Sequence, residues 1–140
     1  MKYAKWMSAL MLLFVPIMAA AQLQPSERIV TNVPFSFVVA NQVIPAGECT
    51  IQSAGTQGSV LTLSNRDAKL NIFVRASAGL QKNAPAVSSM VFHKYGNRYF
   101  LKGVKIGDSR EVYTFQESKL EAEMRAQNAP VTEEILLAAR

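Results

Sequence analysis

Histidine, cysteine and glycine are scarce in this 140-residue chain, and each scarcity removes a class of chemistry. His93 is the only histidine, so any Ser-His-Asp or Cys-His arrangement would have to use it. A zinc site would need further ligands, which Cys49 and the scattered carboxylates do not supply at a recognised spacing. Cys49 is the only cysteine. It cannot close an internal disulfide, so the fold must hold without covalent staples, and its place after Gly47-Glu48 excludes a lipid-attachment cysteine at a cleavage site. The glycines form no phosphate loop, because Gly55 and Gly58 join two β-rich runs rather than a strand and a helix.

The chain does have an apolar share of 49% against 18% charged residues, which excludes disorder and suits one globular domain. Its first stretch reads as a secretory signal peptide, Met1 to Ala21. Lys2 and Lys5 precede an apolar run from Trp6 to Met18, and Ala19-Ala20-Ala21 supplies the small residues of an A-x-A cleavage site. As a membrane anchor the run is short against the roughly 20 residues needed to span a bilayer, and it carries Pro16. Cleavage after Ala21 would leave one domain starting at Gln22, exported to the periplasm or outside the cell, with no stable membrane insertion.

Charge is unevenly placed. Gln22 to Arg110 carries ten Lys or Arg against four Asp or Glu, and Glu111 to Arg140 carries three against six. A basic body followed by an acidic tail predicts a tail that docks on the body, with an anionic partner as the sharper alternative. No nucleic acid is expected.

From Arg28 to Ile106 the pattern is short β-rich runs between turn residues, with no apolar stripe at helical spacing. Pro34 separates Ile29–Val33 from Phe35–Val39 and predicts an edge or a bend, where a strand could cross between sheets. Asn41-Gln42 and Pro45-Ala46-Gly47 read as turns. Alternation over Glu48–Gln52 points Cys49 and Ile51 to the core. Val60–Leu63 and Leu70–Val74 complete a three-stranded meander, and Ala76 to Pro85 reads as a small-residue loop. Gly96-Asn97 between Ser89–Tyr95 and Arg98–Lys102 is the strongest hairpin signal; its register pairs Tyr95 with Arg98, Lys94 with Tyr99 and His93 with Phe100, and places Val91 opposite Lys102. Arg110 to Phe115 reads as one more strand. Ser118 and Glu121 have capping-box spacing before a helix from Lys119 to about Gln127, with Glu121 and Arg125 placed for an i,i+4 pair. Thr132-Glu133-Glu134 reads as the start of a second short helical segment.

The fold expected is all-β: a small antiparallel β-sandwich or partly open barrel of about six or seven strands with a short C-terminal helical tail. The β domain is set at residues 22–116 and the helical tail at 117–140.

Four segments carry a resemblance: Val33-Pro34-Phe35-x-Phe37, Ile44-Pro45-Ala46-Gly47-Glu48-x-Thr50-Ile51, Leu61-x-Leu63-Ser64-Asn65, and Val91 through Leu101. Together they resemble a group of small exported β-proteins of environmental bacteria. The likeness spans most of Val33 to Leu101; Cys49, where an aromatic residue is the pattern, and the stretch after Lys102 depart from it. It implies export and a β-fold, and no catalytic residue.

Gly107-Asp108-Ser109 has the residue order of the nucleophile block in one lipase and esterase family. That chemistry needs a histidine after the serine, and none follows Ser109, so the triplet reads as a turn. The chain is therefore expected to be a non-enzymatic binding or structural component of the envelope or extracellular space, with no cofactor and no metal. The candidate contact surface is the hairpin strip Lys94, Tyr95, Arg98, Phe100 and Lys102, with Tyr99, Lys105 and Arg110 nearby. Interleaved basic and aromatic groups suit a polyanion or a sugar, so the unknown partner is expected to be anionic. On this reading Tyr95, Arg98, Phe100 and Lys102 point outward. The competing expectation is that the acidic tail covers Phe100 through Leu120 and Met124. The alternative function is a small β-barrel carrier of an apolar ligand.

Overall fold

The computed structural model describes residues 27–55 and 59–138. The expected signal peptide and cleavage site lie outside the described residues.

Among the described residues ten strands and one helix follow one another: β1 (Arg28–Val33), β2 (Phe37–Val39), β3 (Gln42–Ile44), β4 (Gly47–Ser53), β5 (Val60–Asn65), β6 (Leu70–Leu80), β7 (Ser89–Tyr95), β8 (Arg98–Lys105), β9 (Glu111–Phe115), α1 (Lys119–Ala126) and β10 (Thr132–Leu137). The all-β expectation holds, with ten strands in place of six or seven. The strands join into one sheet that runs β1-β4-β5-β6-β9-β8 and continues from β8 to β7 and then β10. Along its other edge β8 is shared: Gly103–Lys105 pairs with β9, and Tyr99-Phe100 pairs with β2, which carries β3. The β2–β8 pairing is parallel, so the sheet is mixed rather than purely antiparallel. Cα atoms of β1 come within 8 Å of β7 and β10. The sheet thus curls back on itself, yet no ladder joins β1 to β10 among the described residues.

Local chemistry accounts for the turns. Pro34 ends β1, which pairs with β4, and the chain crosses to β2 beside β8, the bend expected of a residue that cannot donate to a ladder. The turn expected at Asn41-Gln42 falls one residue earlier, at Ala40 and Asn41, whose φ values of +50° and +60° join β2 to β3 as a two-residue hairpin. At the main hairpin only Gly96 has positive φ, at +58°, which fits a type II′ turn. The meander of β4, β5 and β6 forms as read.

Three expectations are corrected. Ala76 to Leu80 is not loop: β6 runs on through these residues and changes partner from β5 to β9, using small side chains to follow the curl of the sheet. Thr132 does not open a second helix; Thr132–Leu137 is β10, antiparallel to β7. The edge of β7 supplies ladder partners that six isolated residues lack, and tertiary pairing overrides local propensity. Val91 does not pair with Lys102. A bulge leaves Phe92 opposite Leu101 and Val91 opposite Gly103, with Lys102 as the extra residue.

The core lies on the inner face of the curled sheet, where Ile29, Val33, Phe37, Ile44, Cys49, Ile51, Leu63, Met90, Phe92, Val104 and Phe115 pack together. Phe92 is central: Phe35 and Phe37 meet it edge-on, with ring centroids 5.1 and 5.2 Å away. Cys49 is fully buried, as its alternation predicts. Two glycines permit close approach. A Cβ on Gly103 would lie 2.7 Å from the Tyr113 carbonyl oxygen, and one on Gly107 would lie 2.7 Å from the Ser88 nitrogen.

Candidate functional site

The hairpin strip is where basic and aromatic groups gather, and it is built by alternation along β7 and β8. Direct pairing of His93 with Phe100 and of Tyr95 with Arg98 puts these four on one face. That face is covered. Tyr95 is 3% exposed and Phe100 is 1% exposed, with their rings edge to face at 5.6 Å. The outward display of Tyr95 and Phe100 is therefore overturned; the tail does reach this face, but through Glu121 on His93, Tyr95 and Lys102 rather than through Leu120 and Met124.

The cover is α1. Ser118 caps its N-terminus by accepting the backbone N–H of Glu121 at 3.2 Å, one half of the expected capping box. The Glu121 carboxylate turns away from the cap and into the sheet. Its Oε1 accepts from His93 Nδ1 at 3.0 Å and from the Tyr95 hydroxyl at 3.4 Å, and its Oε2 accepts from Lys102 Nζ at 3.5 Å. An ionised carboxylate offers only acceptors, so the geometry is satisfied by the His93 tautomer with its proton on Nδ1. The Glu121 side chain is 3% exposed and is the one buried residue of the helix, while Leu120 and Met124 are half-buried. A charge, not an apolar stripe, pins α1 to the sheet. Burying it is tolerable because three donors converge on it. Arg125, expected to pair with Glu121, instead binds Glu117 at 2.9 Å. Beyond the cluster, Asn41 Oδ1 accepts the Lys119 N–H at 2.9 Å, tying the helix start to the β2–β3 turn.

The electrostatics follow from burial. The Tyr95 phenol is pushed above its ordinary range by desolvation first, and then by the Glu121 charge and their hydrogen bond. Desolvation, with the Asp67 carboxylate adding to it, pushes the Cys49 thiol up to about 11. Such a thiol is no nucleophile at neutral pH.

The remaining strip residues scatter. Lys102 reaches Glu121 from the bulge, and Lys94 Nζ sits 5.4 Å from the centre of the Tyr99 ring, whose other neighbour is Phe35, stacked at 3.6 Å. Arg98 is exposed at the hairpin tip. Arg110 is drawn off to the Gln81 carbonyl at 3.0 Å. Ser109 accepts the Glu111 N–H through its hydroxyl at 3.1 Å, as a turn residue does.

Glu121 is the residue that sequence reasoning missed in its main role. Capping-box spacing signalled the helix start, but nothing local marks the carboxylate as buried, because its donors lie 19 to 28 residues away. Among the described residues no group of three or more His, Cys, Asp or Glu could hold a metal ion, and no helix is long and apolar enough to cross a membrane. No family model, curated protein or solved structure matches the chain.

Proposed function

We propose that the chain is an exported, non-enzymatic β-domain that serves as a binding or structural component of the cell envelope or extracellular space. One observation carries this reading: His93, the only histidine, is engaged through Nδ1 by a buried carboxylate whose work is to dock a helix. The most organised set of ionisable side chains thereby serves the fold. Export rests on the signal-peptide features of Met1 to Ala21 and on the resemblance to small exported β-proteins. The carrier alternative has less support, since the rings of Phe37 and Phe92 and the side chains of Met90, Ile51 and Leu63 pack into the space between the strands.

The test is expression of the full chain with a C-terminal tag in a Gram-negative host, followed by fractionation, intact mass and cross-linking in the envelope. The exported form should begin at Gln22 and form discrete cross-links to an envelope component. Retention of Met1 to Ala21 in a membrane fraction, or an envelope form that cross-links to nothing, would overturn the proposal.

A further inference from the structure

With the hairpin strip occupied by α1, the outward face of β1, β4, β5 and β6 is a polar surface that no other element among the described residues covers. Residues directly opposed across antiparallel strands share a face. Arg28, Gln52, Thr62 and Phe73 therefore form one row, and Val30, Thr50, Ser64 and Asn71 form the next. At about 4.8 Å per strand the first row is about 14 Å long. Arg28, Glu48, Thr50, Gln52, Ser64 and Arg66 line a shallow open depression on this face. Thr50 and Thr62 are nearly buried among the longer side chains, while Phe73 at the end of its row is 73% exposed.

Three features bear on a ligand. Positive charge dominates: Arg28, Arg66 and Arg75 stand on or beside the face against Glu48. Among the described residues Arg28 and Arg75 form no ion pair, and Arg66 approaches Glu48 only to 3.8 Å with its side chain 82% exposed. Guanidinium groups in that state are available for bidentate binding of carboxylates. The floor offers hydroxyls and amides rather than an apolar centre, unlike the core of a protein–protein interface. Phe73 makes no ring contact among the described residues, and it offers one flat apolar surface where single-stranded nucleic acid would need a succession of stacking platforms.

We propose that this face binds an acidic polysaccharide of the polyuronate class. Uronate carboxylates meet Arg28 and Arg66, sugar hydroxyls meet Gln52, Ser64 and Asn71, and the C–H face of a sugar ring lies on Phe73. The site rests on the binding-module reading and names its ligand class.

The experiment is affinity electrophoresis of the mature chain in gels containing polygalacturonate, neutral dextran or single-stranded DNA. Polygalacturonate should retard the wild type in a salt-dependent way, and dextran should not. Phe73→Ala, which leaves the net charge unchanged, should weaken retardation by roughly fivefold to tenfold, the scale of one lost stacking contact. Arg28→Gln with Arg66→Gln should abolish it. Lys82→Gln with Arg98→Gln, an equal loss of charge elsewhere on the surface, should leave most of it. Four results would overturn the proposal: no retardation of the wild type, equal losses in both double variants, no effect of Phe73→Ala, or stronger retardation by DNA. If the wild type ignores polygalacturonate but still cross-links in the envelope, this site is wrong and the binding-module reading stands.

Discussion

Cys49 shows how one residue's surroundings set its chemistry. Alternation over Glu48–Gln52 was enough to place it inside, and the structure buries it fully on β4 opposite Thr31 and Asn65. Native protein at pH 8 should resist alkylation, whereas protein unfolded in urea should be labelled at once; rapid labelling of the native form, or a disulfide-linked dimer, would refute the placement. The same burial makes stability pH-dependent. The folded thiol keeps its proton up to about 11, against a reference of 9.0. Between these values the unfolded chain binds fewer protons than the folded one, so this contribution is intact below about pH 9 and is lost as pH rises toward 11. Cys49→Ala should flatten that part of the profile in thermal melts. Glu121 is the opposite case. Its spacing from Ser118 was legible, but its burial was not, because no residue near it in sequence supplies the three donors that make burial tolerable.

At the level of elements, legibility followed the range of the interactions. The β7–β8 hairpin and the β4–β5–β6 meander were readable because Gly96-Asn97 and Asn65-Arg66-Asp67 are local turn chemistry between β-rich runs. Asp67 adds a cap of its own, accepting the Glu48 N–H at 3.0 Å. The second half of β6 was not readable, since Ala76, Ser77, Ala78 and Gly79 have weak strand preference and are held by pairing with β9. Nor was β10, whose Glu133 and Glu134 mimic a helix start but sit opposite His93 and Phe92. For α1 the consequence is testable. A helix of eight residues has little stability of its own, and this one is pinned by a single carboxylate. Glu121→Ala should cost about 1–3 kcal/mol, less than a fully buried pair because His93 and Lys102 can regain water. Hydrogen exchange should show lost protection at Ala122 to Ala126, with β4, β5 and β6 unchanged. Unchanged protection in the helix would show that Leu120 and Met124 dock it without the carboxylate.

Across the whole molecule, the acidic tail completes the basic body from two sides, with α1 lying over a face and β10 lying along an edge. The charge asymmetry of the sequence pointed to docking; it did not specify that six residues of the tail, Thr132–Leu137, would become a strand of the sheet. Removing residues 117–140 should therefore do more than remove charge. It uncovers Tyr95, whose hydroxyl Glu121 holds, and leaves β7 as an open edge. The truncated chain should melt well below the full chain, bind an apolar dye and self-associate as concentration rises. A monomer with an unchanged melting temperature would show the tail to be an appendage.

The place of β10 also imposes an order in time. As the chain is made or emerges during export, β7 appears before its edge partner, and the residues between Tyr95 and Thr132, α1 among them, are still to come. Until Leu136 and Ala138 reach the core they pack against, the half-made domain presents an unpaired strand, Ser89 to Tyr95. That interval is when a holding chaperone would find its handle, and a message cut short upstream of Thr132 would yield a product marked for proteolysis by the strand it leaves uncovered.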